Sequence, residues 1–297
     1  MGFLQDVFAN IILALPLVGA YALFALGIVV IYNASRVLNL AHGAIATLPA
    51  YVAYSLAPHI GPLPAVVAGV LSGGVLGVIV ERFVVRRLRA VSQTAQTVGT
   101  VAVFGLIVAL MGKIWGTGLL QAVEVVPHKI FHVGHALLFS DDLALIVVAV
   151  VATAGFFALF KFTSLGLAMR LAADNRRAAA LMGIDPERTT SAAWLIGGLF
   201  AGLGGVLLAA ATGLHPYILP LQMLPAFVAA LIGGMDSAVG ALVGSIVVGL
   251  AIGIVPSLGT IGRQVGAPQL VLTLLAFLIM AMRGRRFQAS DVRTSLA

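Results

Sequence analysis

Long apolar stretches alternate with short polar segments along the whole chain, and the apolar stretches are long enough to cross a bilayer. The pattern predicts spans at about Phe8 to Ile31, Val37 to Leu56, Ala65 to Val80, Val98 to Met111 and Leu143 to Phe160. It continues with Thr190 to Ala211, a short piece from Leu221 to Ile232, Ala238 to Val255 and Leu270 to Met282. The expectation is an all-α polytopic membrane bundle of about nine helices, within a range of eight to ten. The short piece is the exception. Its twelve residues cover only about 18 Å of a roughly 30 Å core at 1.5 Å per residue. It either recruits Pro216–Pro220 to cross or forms a re-entrant hairpin.

Composition sharpens this picture. Of 297 residues, 61% are hydrophobic and only 9% charged, where a soluble domain carries about 25%. No Lys or Arg precedes the first apolar stretch, so it reads as a retained helix. Placing the loops after spans one, three, five and nine on the cytoplasmic side puts 14 basic residues there and 3 on the other side. Arg36, Arg87, Arg170, Arg177 and Arg283 are on the cytoplasmic side. Lys113, Lys129 and Arg263 are on the external side. The positive-inside rule then predicts an external N-terminus and a cytoplasmic C-terminus. The +7 net charge reflects membrane orientation and not nucleic-acid binding. The sequence has no cysteine and no GxxxxGK[ST] loop, which excludes cysteine-ligated metal and P-loop ATP hydrolysis by this chain. The expected organisation is one transmembrane domain over residues 1–297. Residues 8–160 form the first helices and external segment, 161–188 a cytoplasmic loop, 189–283 the remaining helices and 284–297 a cytoplasmic tail.

A few polar segments carry candidate chemistry. Asn39 and His42, three residues apart, are expected on one helical face at the start of span two. Polar groups there need partners or a polar cavity. They either satisfy each other near the interface or line and gate a polar path. Gly43 permits close approach, and Pro49 can kink the span. The run Leu165–Met182 reads as one amphipathic cytoplasmic helix. Leu167, Leu171, Ala178, Leu181 and Met182 lie on its apolar face, with Arg170, Asp174 and Arg177 opposite. Thr163 or Ser164 caps it, Gly183 ends it, and Asp185 with Pro186 opens the next helix. It either rests on anionic lipid or docks a cytoplasmic partner. The segment from Lys113 to Asp142 reads as a partly ordered external cap and a landing surface for an external partner. His128, His132 and His135 suggest metal by spacing alone. Asp236 is expected to cap the eighth helix, or to belong to a broken helix on the substrate route. Glycines four apart on several spans predict either close packing within the bundle or a dimer seam.

Deep charges are scarce, which disfavours a proton- or sodium-driven carrier. An autonomous small-solute channel and an intramembrane enzyme are the rivals. The first lacks a use for a docking helix, and the second lacks a catalytic set. Five motifs together resemble the permeases of ABC importers for branched-chain amino acids, with the related urea and short-chain amide permeases. These are Tyr21–Tyr32, Asn39-Leu-Ala-His-Gly43, Ala179-Ala-Leu-Met-Gly-Ile-Asp185, Gly202-Leu-Gly-Gly-Val206 and Gly233–Ala241. Asn33-Ala-Ser35 and Thr47-Leu-Pro49 depart from the usual pattern. The resemblance implies a second, similar permease, two cytoplasmic ATPase subunits that hold the ATP and magnesium, and an external substrate-binding protein, all at a bacterial plasma membrane. It makes Leu165–Met182 the coupling helix, with Arg170, Asp174, Arg177, Gly183 and Asp185 at the ATPase. It leaves Asn39, His42, Gly43 and Pro49 as the candidate path or gate.

Overall fold

A computed structural model of the chain describes residues 2–127, 129–133, 136–174, 176–262, 264 and 266–279. His128, His135, Arg263, Arg283 and the tail 284–297 lie outside the described residues, as do the side chains of Asp174 and Arg177.

The chain is a helical bundle in which six helices are long and apolar enough to cross a membrane. The elements are α1 (Gly2–Ser35), α2 (His42–Ile60), α3 (Pro62–Val80), α4 (Gln93–Trp115), α5 (Ser140–Phe162), α6 (Ser164–Asp174) and α7 (Arg176–Leu181). There follow α8 (Pro186–Thr212), α9 (Ile218–Leu221), α10 (Met223–Gly233), α11 (Ala238–Ile254) and α12 (Ala267–Ile279). Helix α3 runs on through a π turn, Glu81–Val85, to Leu88. In the segment between α4 and α5 the apolar alternation forms an antiparallel hairpin, β1 (Ile130–Val133) with β2 (Ala136–Phe139). Ala136 and Leu138 on its inner face pack with Ile12 near the start of α1.

Helix α1 is the hub, with 83% of its apolar window buried, and α8 follows with 61%. Helices α4 and α5 are peripheral at 22% and 17%, leaving Val98, Leu106, Val147 and Val150 exposed as a lipid-facing rim. The glycine stripes are used inside this bundle. A methyl group at Gly73 would stand 2.6 Å from the Gly198 carbonyl oxygen, and one at Gly77 would stand 2.3 Å from that of Trp194. Gly244 faces Ala229 on α10, and Gly249 faces Val18 on α1, equally closely. These stripes are seams between helices of one chain.

Several expected boundaries move. Span two starts as a helix at His42 and not at Val37, because α1 ends at Ser35 and residues 36–41 run non-helically. Arg36 has φ +56°, an uncommon conformation for a side-chain-bearing residue. Pro58 lies inside α2, and the turn to α3 is Gly61 alone, at φ +85°. Helix α4 begins earlier than Val98, where the Ser92 hydroxyl accepts the Ala95 amide. Asp236 does not cap the eighth helix. The Ser237 hydroxyl accepts the Gly240 amide in that role, while Asp236 pairs with Arg36. The long-range ion pair takes the carboxylate away from the helix end, and the neighbouring hydroxyl replaces it.

Loop contacts sort the ends of the helices. Arg36 bonds Asp236 and the Ala173 carbonyl, and Gln93 bonds the Arg36 carbonyl. Arg86 bonds Glu187. These join the ends of α1, α3, α6 and α10 to the starts of α4 and α8. At the opposite end Leu120 and Leu214 exchange backbone hydrogen bonds of 3.0 and 2.9 Å. Asn10 bonds Ser257 there, and the Trp115 indole bonds Ser55.

Candidate translocation pathway and coupling surface

After Arg36 the chain turns back into the bundle. The Asn39 carboxamide oxygen accepts the Ala41 amide at 3.1 Å, and α2 opens at His42. Asn39 therefore precedes the helix, and the two polar residues do not share a helical face as expected. Both are buried. The His42 ring packs on α1 at Gly27, where a methyl group would stand 2.8 Å from its Cε1 atom. It faces the Phe24 carbonyl without reaching hydrogen-bond geometry, and the Asn39 amide nitrogen also has no partner within that geometry. Gly27 lies nine residues before Arg36, which is about 14 Å along the helix, close to half of a roughly 30 Å core. So α2 starts deep in the bundle.

A second element reaches the same depth from the opposite side. From Leu214 the chain descends without regular structure to α9, and a methyl group at Gly43 would stand 2.5 Å from the Pro220 carbonyl oxygen. Helix α10 then continues to the Asp236 end. Two half-irregular, half-helical segments thus meet inside the bundle at Gly43–Pro220. Glycine is required there because any side chain would part the two backbones. Pro49 sits elsewhere. Its ring packs between Gly73 and Gly202, at the junction of α2, α3 and α8, and α2 continues through it unbroken.

The residues of the loop between α5 and α8 fall into distinct environments. The Thr163 hydroxyl accepts the Gly166 amide and caps α6. Arg170 donates to the Phe160 carbonyl at the end of α5, which ties the two helices together. Helices α6 and α7 flank residue 175 within the stretch read as one helix. The apolar face read from the sequence is not turned into the bundle: Met169 and Ala179 are buried, whereas Leu167, Leu181 and Met182 are exposed, Leu181 at 89%. On α6, a methyl group at Gly166 would stand 2.5 Å from the Phe160 carbonyl oxygen, so that helix lies close against the end of α5. Gly183, at φ +83°, ends α7, with the Ile184 amide on the Ala179 carbonyl and the Gly183 amide on that of Ala180. This is the double-bonded glycine stop. Asp185 caps α8 by accepting the Glu187 and Arg188 amides, which hold its carboxyl below the usual carboxylate range.

Sequence reasoning missed the Glu81 cluster. Glu81 is fully buried, yet Arg86 donates to both its oxygens at 3.1 and 2.9 Å, and Ser191 donates at 2.9 Å. Arg86 also bonds Glu187 at 2.9 Å. A π turn, with its i to i+5 repeat, places Glu81 and Arg86 on one face. Their spacing of five was the available signal. It was passed over because spacings of three and four are the ones that pair on an α-helix. Among the described residues no three His, Asp or Glu side chains gather as a metal site.

Comparison with known proteins gives this architecture a family. A family model described as "Branched-chain amino acid transport system / permease component" matches residues 10–282. The chain is 26% identical over 269 residues to the LivH protein of Escherichia coli K12, a "High-affinity branched-chain amino acid transport system permease protein". That match covers 84% of each chain. It is 27% identical over 241 residues to a "Probable branched-chain amino acid transport permease protein LivH" of Methanocaldococcus jannaschii, covering 77% of this chain and 75% of the relative. The solved structure "PsaBC from Streptococcus pneumoniae in complex with Fab" shares the fold at a TM-score of 0.51 and 14% identity, over 94% of this chain and 91% of that one. The chain belongs to the branched-chain amino acid transport system permease family: it is a multi-pass inner-membrane permease subunit of an ABC importer, a transport protein and not an enzyme.

Proposed function

We propose that this chain forms half of the path by which an ATP-driven importer takes up branched-chain or related neutral amino acids. The other half comes from a second, similar permease. Two cytoplasmic subunits hold ATP and magnesium, and an external binding protein delivers the solute. The names of the relatives support the substrate class. The observation that carries the transport reading is the junction of Gly43 with Pro220, two half-irregular crossings meeting deep in the bundle. Irregular backbone at membrane depth is tolerated where it is buried or lines a cavity, and broken helices place transport sites near the midplane.

The topology follows from the charge pattern. Nine crossings with the N-terminus outside and the C-terminus inside are supported by the sorted loop contacts. Residues Leu214 and Asp236 sit at opposite ends, so the segment between them reads as a crossing and not as a hairpin. Cysteines introduced at Arg87 and His132 test this in intact cells, because the chain has none of its own. An impermeant maleimide is expected to label position 132 and spare position 87. Labelling of 87 in intact cells reverses the orientation.

Asn39, His42 and Gly43 act as the gate in this account. Pro49 shapes the packing behind it. The loop from Ser164 to Asp185 is the coupling surface, with Gly183 and Asp185 fixing where it ends and α8 begins. Asn39→Leu and His42→Leu are each expected to slow uptake about tenfold at normal abundance, a change of about 1.4 kcal/mol in the rate-limiting step. Unchanged uptake per assembled complex in both variants shows that these side chains only fill space. The function itself is tested by uptake in cells expressing the whole complex. Radiolabelled leucine is expected to accumulate and urea is not. Urea uptake without leucine uptake rejects the assignment.

A further inference from the structure

Beside the junction, α10 and α12 enclose a groove of about 670 Å³ that reaches α1 and is open along one side. Its volume falls in the usual range for a small-molecule site. Apolar side chains such as Phe227 and Leu272 line most of it. Gln222, Gln269 and Thr273 also face it, together with Tyr21, and among the described residues no charged side chain does. Gln222 stands at the step between α9 and α10, two residues beyond the Pro220 carbonyl that touches Gly43. It therefore lies at the depth where the two crossings meet. Thr273 and Gln269 follow one helical turn apart on α12, and both are exposed. Polar side chains displayed at membrane depth are unfavourable against lipid and mark solute routes.

We infer that this groove holds the transported neutral amino acid, with Gln222 and Thr273 in its lining as specificity-determining residues. The chemistry of the walls selects this ligand. The Gln222 amide both donates and accepts, and the Thr273 hydroxyl, whose proton goes to the Gln269 carbonyl at 2.8 Å, still accepts, so together they serve a zwitterion's carboxylate and ammonium without adding net charge. Phe227 and Leu272 offer an apolar bed for an aliphatic side chain. A cation or anion finds no countercharge in the lining, and a sugar finds too few polar groups. A lipid acyl chain is the competing occupant.

This inference rests on the proposed amino-acid substrate, and the experiment separates the two. Single cysteines are placed at Gln222 and Thr273 in the full complex, with Val147 and Val150 on the exposed face of α5 as controls. The wild-type complex, whose permease has no cysteine, sets the background. Methanethiosulfonate ethylammonium is added from outside, modification is read by mass spectrometry, and leucine uptake is measured. Modification at 222 and 273 is expected to cut uptake about tenfold or more, with less than about a twofold change at 147 and 150. Two results overturn the groove while leaving the importer intact. One is full modification without loss of uptake. The other is no modification in a complex that still imports leucine, as a lipid-filled groove requires. Absence of leucine import by the wild-type complex overturns the substrate reading and this inference together. Thr273→Cys carries the test alone if Gln222→Cys does not assemble.

Discussion

Replacing Leu181 and Met182 together by glutamate is expected to abolish coupled uptake while the permease stays folded in the membrane. Both side chains are exposed, at 89% and 60%, at the tip of the cytoplasmic loop. Two large apolar groups at the end of α7, where Gly183 stops the helix, form a projecting knob. Burying each in a partner's groove contributes about 1.5–3 kcal/mol. Losing both, and forcing two carboxylates into the same groove, weakens docking by at least about 4 kcal/mol, on the order of a thousandfold in affinity. Co-purification of the ATPase subunits in detergent measures this directly. The lipid-resting alternative predicts normal co-purification. Arg170 is a poorer probe than its place on the polar face suggests. It holds the Phe160 carbonyl, so reversing its charge disturbs the end of α5 as well as any docking.

Glu81→Leu is expected to destabilise the permease itself. The carboxylate is fully buried and satisfies Arg86 and Ser191, with Arg89 at 3.7 Å. Removing the carboxylate breaks its bonds to Arg86 and Ser191, but Arg86 keeps Glu187 and stays 27% exposed, so the cost is about 3 kcal/mol, the low end for a broken buried pair. The thermal midpoint in detergent should fall by on the order of 10 °C. The double variant Glu81→Leu with Arg86→Leu should recover most of that loss, since a buried pair exchanged for apolar groups is often close to neutral. A double variant no better than the single one shows that the cluster matters for more than its internal charge balance. The cluster joins the end of α3 to the start of α8, next to the coupling loop. The single variant should therefore also weaken transmission of movement from that loop.

The sequence showed the long spans plainly, because twenty apolar residues in a row have few other physical readings. The glycine stop at Gly183 and the Asp185 cap were equally legible, since both are local chemistry. What local pattern did not show was where helices fail to start. Val37 to Ala41 is apolar apart from Asn39, and the turn at Arg36, the Asn39 side chain and the Thr100 hydroxyl on Leu38 and Leu40 keep it irregular. That turn is held by Asp236, 200 residues away, and by Ala173 and Gln93. The same distant contact explains why Ser237, and not Asp236, caps α11. Glu81 escaped notice because a π turn, which no simple pattern announces, brings Arg86 beneath it. The β hairpin was visible only as an alternation of apolar residues between Val123 and Val133. Hydrophobicity marked the apolar face of the loop helices but not what that face meets: Leu181 and Met182 are exposed, while the smaller Ala179 is buried.

The account holds that a permease without chemistry of its own is driven by subunits docked at its cytoplasmic loop. The most direct measurement is uptake of radiolabelled leucine into proteoliposomes containing this chain, its companion permease and the ATPase subunits, with the binding protein outside. Accumulation is expected only with ATP and magnesium enclosed, and it should disappear in the Leu181→Glu, Met182→Glu variant although that chain inserts normally. Leucine equilibration through vesicles containing this chain alone, with no ATP, would contradict the account and point to an autonomous channel.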